Sequence, residues 1–350
     1  MSELGILLGE SVERLLADHP TAAAQGADGT WLPELWNQLE EIGVNLTLVA
    51  EHHGGASGGW EDAFSVLRLA GSQTIPLPIA ETMLAGKLLS AANLEIIPGV
   101  YTVATQISGD WNASVDSLHF RGDLVGVPWG RHADHIVCCV PIDSIMRVCV
   151  LPRAAATVST RSNLAGEPRD TLTFIDVPVR SAVNACPEGA ALFDFCALAR
   201  LPQIVGCLDS ALRRSIQHAT DRKQFGRAIG QFQAVQHLLA VFGGEVAAVL
   251  CVARAACRAA DAGNAEYQIA AAKLRANQAI GLATATAHQV HGAIGFTNEY
   301  ALHFATQRLW SWRSEFGNDR YWSERLGAAV ARAGADCFWS DMTARDDGVG

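Results

Sequence analysis

The sequence predicts an α+β fold in which a helical domain, a small β domain and a bundle of long helices follow one another. Three observations predict it: helically spaced apolar residues near the N-terminus, short β-rich runs in the middle, and long helical patterns afterwards. A chain of 350 residues is long enough for two or three domains. We place them at residues 1–95, 96–186 and 187–340, followed by a tail, 341–350, that we expect to be disordered.

The N-terminal domain is expected to consist of helices separated by glycine and proline. In its first clear helix, apolar residues stand at positions 32, 35, 36, 39 and 42, which is helical spacing. A glycine-rich loop at 52–59 interrupts the helical pattern, and so do Pro76 and Pro78. The predicted helices are 31–42, 60–69 and 81–92.

The middle domain has a different character, because short runs of β-forming residues alternate with Gly, Asp and Pro. No helix of useful length fits between 96 and 186. We therefore expect a small antiparallel domain that resembles a β-barrel. The predicted strands are 100–105, 117–120, 123–127, 135–140, 145–151 and 171–175.

The C-terminal domain is predicted to be a four-helix bundle, because its long helical patterns are joined by short loops. Its first helix carries an apolar stripe from Leu198 to Ile216, and Pro202 within it is expected to kink the helix or mark a late start. The helices at 233–260 and 265–291 are apolar around much of their girth, which predicts an oligomer. Two further helices are predicted at 300–312 and 320–333.

Composition excludes several classes of partner. A net charge of −10 without any basic block argues against nucleic acid and against an anionic membrane surface. The apolar runs, such as 246–253, look too short for a membrane span, and the N-terminus lacks the pattern of a signal peptide. We expect a cytoplasmic protein with reduced cysteines. No metal site is predicted, because His52–His53 and His132–His135 have no companions at ligand spacing.

Two stretches of the C-terminal domain have the features of a site for a flat, phosphate-bearing ligand. Residues 222–237 begin Arg-Lys-Gln-Phe-Gly and place an arginine at a helix end, before a glycine-containing loop and a new helix. Such an arrangement places a positively charged guanidinium group beside free backbone N–H groups. Residues 289–296 read Gln-Val-His-Gly-Ala-Ile-Gly-Phe, in which two glycines allow close approach of a ligand to the backbone.

Together these two stretches resemble the C-terminal half of the acyl-CoA dehydrogenases, flavoenzymes that desaturate acyl-CoA thioesters. The order of helical domain, β domain and helical bundle agrees with that family. The resemblance implies FAD as cofactor, bound mainly by a neighbouring subunit, with Arg222 on its pyrophosphate. Without a cofactor, Arg222 would simply be a favourable cation at a helix C-terminus. The other matched cofactor positions are Phe225 and Gln233, and, along the adenosine part, Gln289, Gly292 and Ala293.

The reaction of the family requires a base for the thioester α-proton, while the flavin accepts the β-hydride. In many relatives the base is a Glu followed by Gly and Thr after the helix that follows the second motif. Here Glu315 lies in that segment, so we assign it as the candidate catalytic base. It stands one residue early if Gly317 is matched to the family glycine, which puts Phe316 at the position of the base. The alternative is that Glu315 is a solvated or capping residue between two helices.

The β domain also departs from the family pattern. Pro128 stands where relatives have a threonine hydroxyl against the flavin, and Trp129 is a candidate for stacking on the flavin ring or for the core. These departures resemble one subunit of the bacterial enzymes that pair two unlike chains for bulky acyl-CoA, such as steroid side-chain thioesters. The chain is then either an acyl-CoA-desaturating subunit or a non-catalytic partner that completes a sister chain's FAD site. Either way we expect a homo- or hetero-oligomer, a dimer of dimers, with a separate electron-accepting protein as a further partner.

Overall fold

The computed structural model describes residues 2–113, 117–183, 192–297, 300–337, 339–340 and 343. The predicted boundary between residues 186 and 187 lies outside these ranges. So does nearly all of the predicted tail, 341–350. The order of domains that the sequence predicts is confirmed.

The N-terminal domain contains the three helices predicted from spacing and two more before them. The most deeply buried, α5, has almost no exposed side and packs against the first β strand and the first bundle helix. It therefore lies at the point where the three domains meet. The helices are α1 (Glu3–Ala17), α2 (Ala22–Gln25), α3 (Pro33–Glu41), α4 (Trp60–Ser72) and α5 (Ile79–Ala91).

The middle domain consists of two four-stranded sheets that face each other across an apolar core containing Phe120, Leu124 and Leu172. The strands are β1 (Tyr101–Val103), β2 (Ile107–Ala113), β3 (Leu118–Pro128), β4 (His135–Ile142), β5 (Ile145–Pro152), β6 (Thr157–Ser159), β7 (Arg169–Pro178) and β8 (Arg180–Val183). Their order is β1-β4-β5-β8 in one sheet and β2-β3-β7-β6 in the other. All pairs are antiparallel except β1 with β4. The described strands thus form an open sandwich and not a closed barrel.

The C-terminal domain is a bundle of long helices around α6, which packs against α4, α7, α8 and α9. Its elements are α6 (Leu192–Asp221), the hairpin β9 (Lys223–Gln224) and β10 (Arg227–Ala228), α7 (Gln233–Asp261), α8 (Glu266–His291), α9 (Leu302–Ser314) and α10 (Asp319–Ala333). The helix α6 runs through Pro202 without ending, so the predicted late start is wrong. Close packing of α6 on α4 needs Gly206, because a Cβ there would lie 2.0 Å from the Arg68 carbonyl oxygen.

Two bundle helices, α6 and α7, are long and apolar enough by length and composition to cross a membrane. The sequence argument from short apolar runs missed them, because single polar residues interrupt stretches that are apolar on average. For α6 the apolar window is 83% buried inside the protein, as in a core helix. For α7 only 22% of the window is buried, so this helix presents an apolar surface on the single chain.

Candidate functional site

The first predicted cofactor segment is exposed on the surface at the end of α6. Arg222 follows the last residue of that helix, and its carbonyl accepts a hydrogen bond from the backbone N–H of Ile229 at 2.8 Å. This bond closes the hairpin, which a short turn connects to the start of α7. Arg222 and Gln233 are both exposed, so both side chains are free to meet a ligand.

Phe225 is the most exposed large apolar residue of this segment, with 92% of its surface accessible. Its backbone has φ of +50°, a conformation that residues other than glycine rarely adopt. The ring lies edge-on against Phe232, which is itself covered by the guanidinium of Arg227 at 4.2 Å. An aromatic side chain held out in this way is expected where a second molecule covers it.

The second predicted cofactor segment lies at the end of α8. Gln289 and Gly292 line an open groove of about 480 Å³ together with Phe296 and Trp310. Gly292 has φ of +63° and no atom within 4 Å of a Cβ added there, so the backbone is open to a ligand. Ala293 is also exposed, and its methyl group therefore causes no clash within this chain.

The two segments lie at the same end of the bundle. His218, one turn before Arg222, stacks on His291, which precedes Gly292, with ring centroids 4.6 Å apart. The structure thus brings together the two sets of residues that the sequence assigned to one cofactor. An exposed arginine fork beside an open, glycine-lined backbone fits a dinucleotide such as FAD.

Glu315, the candidate base, occurs directly after α9, at the place that the sequence indicated. Both of its carboxylate oxygens are occupied. Arg169 of β7 donates from Nε to Oε1 at 2.8 Å and from Nη2 to Oε2 at 2.9 Å, and Asn163 Nδ2 donates to Oε1 at 2.9 Å. With 16% of its side chain exposed, Glu315 is neither solvated nor a simple helix cap. Its assignment as a base stays a prediction, and its contacts favour a structural role.

Glu315 belongs to a group of six buried charges that we call the charge cluster: Glu81, Glu167, Arg169, Arg200, Arg308 and Glu315. Three carboxylates face three guanidiniums, so the cluster is neutral as a whole. Arg200 stands between two of the acids, 2.6 Å from Glu81 and 3.6 Å from Glu315. It joins α5, α6 and the segment after α9, which are the elements that surround the interior of the predicted active site.

The electrostatic effect of the cluster is clearest at Glu167. Burial alone would raise the pKa of this carboxyl, but the guanidiniums of Arg169, Arg308 and Arg200 outweigh burial and lower the pKa to about 2. The same attraction keeps the guanidinium of Arg169 charged, since Glu315 and Glu167 raise its pKa against the opposing effect of burial. The ion pairs therefore favour the charged forms of Glu167 and Arg169.

Phe316 fills what remains of this interior. Its φ of +52° turns the ring inward, where the centroid lies 5.9 Å from the Arg200 guanidinium and 6.0 Å from the ring of Phe193. The cavity left between α5, α6 and Phe316 is about 10 Å³. That volume barely holds one water molecule, so the side chains of Glu81, Arg200 and Phe316 fill the space between them.

Lys273 of α8 anchors the loop that contains Glu315 and Phe316. This fully buried ammonium donates to the carbonyl oxygens of Trp312, Arg313 and Gly317 at 3.0–3.3 Å, and to Asn277 Oδ1 at 2.8 Å. It thereby caps the last carbonyls of α9, which have no partner within the helix.

The β domain also borders the site. Pro128 accepts a hydrogen bond from Thr102 Oγ1 through its carbonyl, at 2.5 Å. Trp129 is 2% exposed and lies against Trp31, so it occupies the core rather than an open flavin face. The Ala165 backbone N–H donates to Ser311 of α9 at 3.1 Å, which places the β domain in direct contact with the bundle.

Sequence reasoning missed the charge cluster apart from Glu315. A signal was present at two positions, because Glu81 and Arg200 are single charges within apolar helical patterns. A lone charge at a core position is expected to have a buried partner of opposite sign. Nothing in the sequence indicated that these two residues pair with each other, since they are 119 positions apart.

Comparison with known proteins agrees with this geometry. Residues 191–319 match the family model "Acyl-CoA dehydrogenase, C-terminal domain". The acyl-CoA dehydrogenase IpdE2 of Mycobacterium tuberculosis is 29% identical over 310 residues, which cover 86% of this chain and 89% of the relative. The C-terminal part of the chain thus matches the acyl-CoA dehydrogenase family, and the chain resembles an acyl-CoA dehydrogenase over most of its length.

Two solved structures share the whole fold. The ChsE4-ChsE5 complex from Mycobacterium tuberculosis superposes with a TM-score of 0.87 at 21% identity, over 96% of this chain and 99% of that chain. The Tcur3481-Tcur3483 steroid ACAD, a G363A variant, gives a TM-score of 0.83 at 20% identity, over 94% and 98%. These likenesses confirm the three-domain fold that the sequence predicted.

Proposed function

We propose that this chain is one subunit of a heteromeric acyl-CoA dehydrogenase for bulky, steroid-type acyl-CoA, and that it completes the FAD site of a partner chain. In this proposal the partner supplies the acyl pocket and the base. The observation that carries it is the filled space beside the candidate base: the neutral charge cluster and Phe316 leave a cavity of only about 10 Å³ next to Glu81 and Arg200.

The exposed cofactor segments support the same proposal. Arg222 and Phe225 point away from the chain, and Gln289 and Gly292 line an open groove, so FAD bound here would be shared with another subunit. The apolar, largely exposed face of α7 supports an oligomer. IpdE2 supports an acyl-CoA dehydrogenase, the ChsE4-ChsE5 complex supports a chain that works in a complex, and the Tcur3481-Tcur3483 steroid ACAD supports a steroid-type substrate.

In the assembled enzyme, FAD would accept the β-hydride of the acyl thioester, which is the redox chemistry that the cofactor supplies. This chain would contribute binding and orientation. The Arg222 guanidinium would neutralise the pyrophosphate, with the start of α7 at Gln233 and the ring of Phe225 beside it. The open backbone at Gly292 and Ala293, with Gln289, would run along the adenosine part. A cytoplasmic location and a separate electron-accepting protein complete the proposal.

Flavin content tests this function directly. We expect the chain purified alone to be colourless, and the same tagged chain recovered from its own host cells to bring a second, longer chain and yellow FAD. Absorbance near the flavin bands and the mass of the co-purified chain are the measurements. A yellow, monomeric chain that acyl-CoA bleaches would instead favour the alternative that this chain desaturates acyl-CoA itself.

Arg222→Ala should weaken FAD retention in the assembly, because a charge-assisted contact to phosphate is worth about 1.5–3 kcal/mol, or roughly 10- to 150-fold in affinity. FAD content after gel filtration is the measurement. Arg213→Ala is a matched control, since Arg213 is an exposed arginine two turns earlier on α6 that pairs only with the nearby Asp209 among the described residues. Equal FAD content in both variants would contradict the assigned contact.

The chain should also associate through α7. Its apolar window is 22% buried in the single chain, so a surface of this kind is expected to lie at a subunit interface. Val241→Glu places a charge on an exposed apolar position of that helix, where the side chain is 41% exposed. We expect the variant to sediment as a smaller species at micromolar concentration. An unchanged sedimentation coefficient would place the interface elsewhere.

A further inference from the structure

Three aromatic side chains join the two cofactor segments, and we call them the imidazole stack: His218, His291 and Tyr300. The rings of His218 and His291 are nearly parallel, 27° apart, with centroids separated by 4.6 Å. Tyr300 lies 5.0 Å from His291, and its hydroxyl is 3.1 Å from His291 Nε2. The stack thus connects the end of α6, which bears Arg222, to the end of α8.

The hydrogen bonds define the protonation state that the stack requires. His291 Nδ1 lies 2.8 Å from the carbonyl oxygen of Ala287, which can only accept, so Nδ1 carries the proton. In a neutral ring Nε2 is then an acceptor, and the Tyr300 hydroxyl donates to it. The neutral form satisfies both ring nitrogens of His291, and it also allows a second imidazole to stack without charge repulsion.

We propose that the imidazole stack positions the Arg222 and Gln289–Gly292 segments relative to each other, and that acidification releases FAD by charging the two imidazoles. This inference rests on the proposed function, because it assigns FAD to these segments. His218 and His291 act as positioning residues here. They are one turn or one residue from the cofactor contacts and need not touch FAD themselves.

The environment of the stack favours the neutral form of both histidines, as the proposal requires. Burial lowers the pKa of His218 and Arg222 lowers it further, against Asp221. Burial likewise lowers the pKa of His291, as do His218 and His288, against the opposing effect of the backbone carbonyls of Ala287 and Arg214. His288 has its pKa lowered by burial. Among the described residues, the Tyr300 hydroxyl and the imidazole of His303, which is hydrogen-bonded to the Tyr300 carbonyl, also lie at the stack.

The direction of the pH effect follows from these lowered pKa values. A histidine with a lowered pKa favours its neutral form in the folded protein, so its contribution is present above the usual value of 6.5. This stabilising contribution is lost as pH falls below that value, because the histidine of a disordered segment then binds a proton more readily than the histidine of the ordered segment. FAD retention and local order should therefore decrease together between pH 7 and pH 5.5.

Two substitutions separate stacking from titration. His218→Ala removes the ring, and His218→Phe keeps a ring that cannot take up a proton. The assembly is recovered through a tag on this chain, and FAD affinity is measured by flavin fluorescence at pH 7.5 and 5.5. At pH 7.5 we expect His218→Ala to lose about tenfold in affinity and His218→Phe to match the parent. Between the two pH values the parent should lose about tenfold and His218→Phe less than about threefold.

Hydrogen exchange on the full chain gives a second readout that needs neither FAD nor a partner. Amides of residues 289–297 should exchange about tenfold faster in His218→Ala than in the parent, whereas His52→Ala, an exposed histidine of the N-terminal domain, should leave them unchanged. Unchanged exchange in His218→Ala overturns the inference, as does equal acid release by the parent and His218→Phe. A parent assembly without FAD would overturn the proposed function, while altered exchange would still show that the stack couples the two segments.

Discussion

Glu315→Gln is expected to lower the free energy of unfolding by roughly 3 kcal/mol, as when one member of a buried ion pair is removed. Arg169 would lose its two-point carboxylate partner, and Arg200 a carboxylate at 3.6 Å. The charge cluster would change from neutral to a net charge of +1 in a region with little water. Urea unfolding followed by tryptophan fluorescence measures this change.

The same variant separates the two functional hypotheses. If Glu315 is structural, acyl-CoA should reduce the flavin of the purified assembly at a rate within about threefold of the parent. If Glu315 abstracts the α-proton, reduction should slow by about 10²-fold or more. Glu324→Gln is a suitable control, since this carboxylate on α10 is 64% exposed and pairs with Arg320 at the surface. It should change stability by less than about 0.5 kcal/mol.

The fold was largely predictable because its signals are local. Helical spacing identified α3, α4 and the bundle helices to within a few residues, and alternating β-forming runs identified most strands. The errors have local causes too. Two predicted strands, 117–120 and 123–127, are a single strand, β3, which continues through Gly122 with an irregular register. The late helix start that Pro202 suggested does not occur, because the surrounding core holds α6 together.

The cofactor role of the two segments stays a prediction, but their local form was predictable because each is contiguous in sequence. Arg222 and Phe225 lie on one short hairpin, and Gln289 and Gly292 lie at one helix end. Their spatial proximity was not predictable from spacing. It depends on the packing of α6 against α8, which brings His218 and His291 into contact beside the two segments.

The interior of the site could not be predicted, because it is assembled from distant residues. Glu315 is 146 positions from Arg169 and reaches it only through the packing of the β domain on α9. The one-residue offset seen in the sequence has a clear structural counterpart. Phe316, which the sequence comparison puts at the position of the family base, adopts a left-handed backbone and lines a cavity of only about 10 Å³ with Glu81 and Arg200.

Lys273 provides the second large expected effect, a dependence of stability on pH. Burial lowers the pKa of its ammonium to about 7, although Glu315 acts in the opposite direction. Its four hydrogen-bond partners are all acceptors, which favours the charged form. However, no carboxylate lies within ion-pair distance of it among the described residues, so the cost of burying the charge is only partly offset.

The direction of the pH effect follows from proton linkage. An unfolded lysine titrates near 10.5, so between pH 7 and that value the unfolded chain binds one more proton than the folded chain. Stability then rises with pH by up to about 1.4 kcal/mol per unit from this residue alone. Below pH 7 the lysine is charged in both states, so the full cost of burial remains and this contribution no longer changes.

Lys273→Met removes the titrating group while keeping a side chain of similar length. Between pH 7.5 and 9 the parent should therefore gain about 2 kcal/mol in unfolding free energy relative to the variant, measured by urea unfolding in matched buffers. Lys223→Met is the control, because this lysine is exposed in the hairpin and should leave the pH profile parallel to that of the parent. Parallel profiles for Lys273→Met would mean that the buried ammonium keeps its proton throughout this range. The acceptors of the α9–α10 loop would then outweigh the cost of its burial.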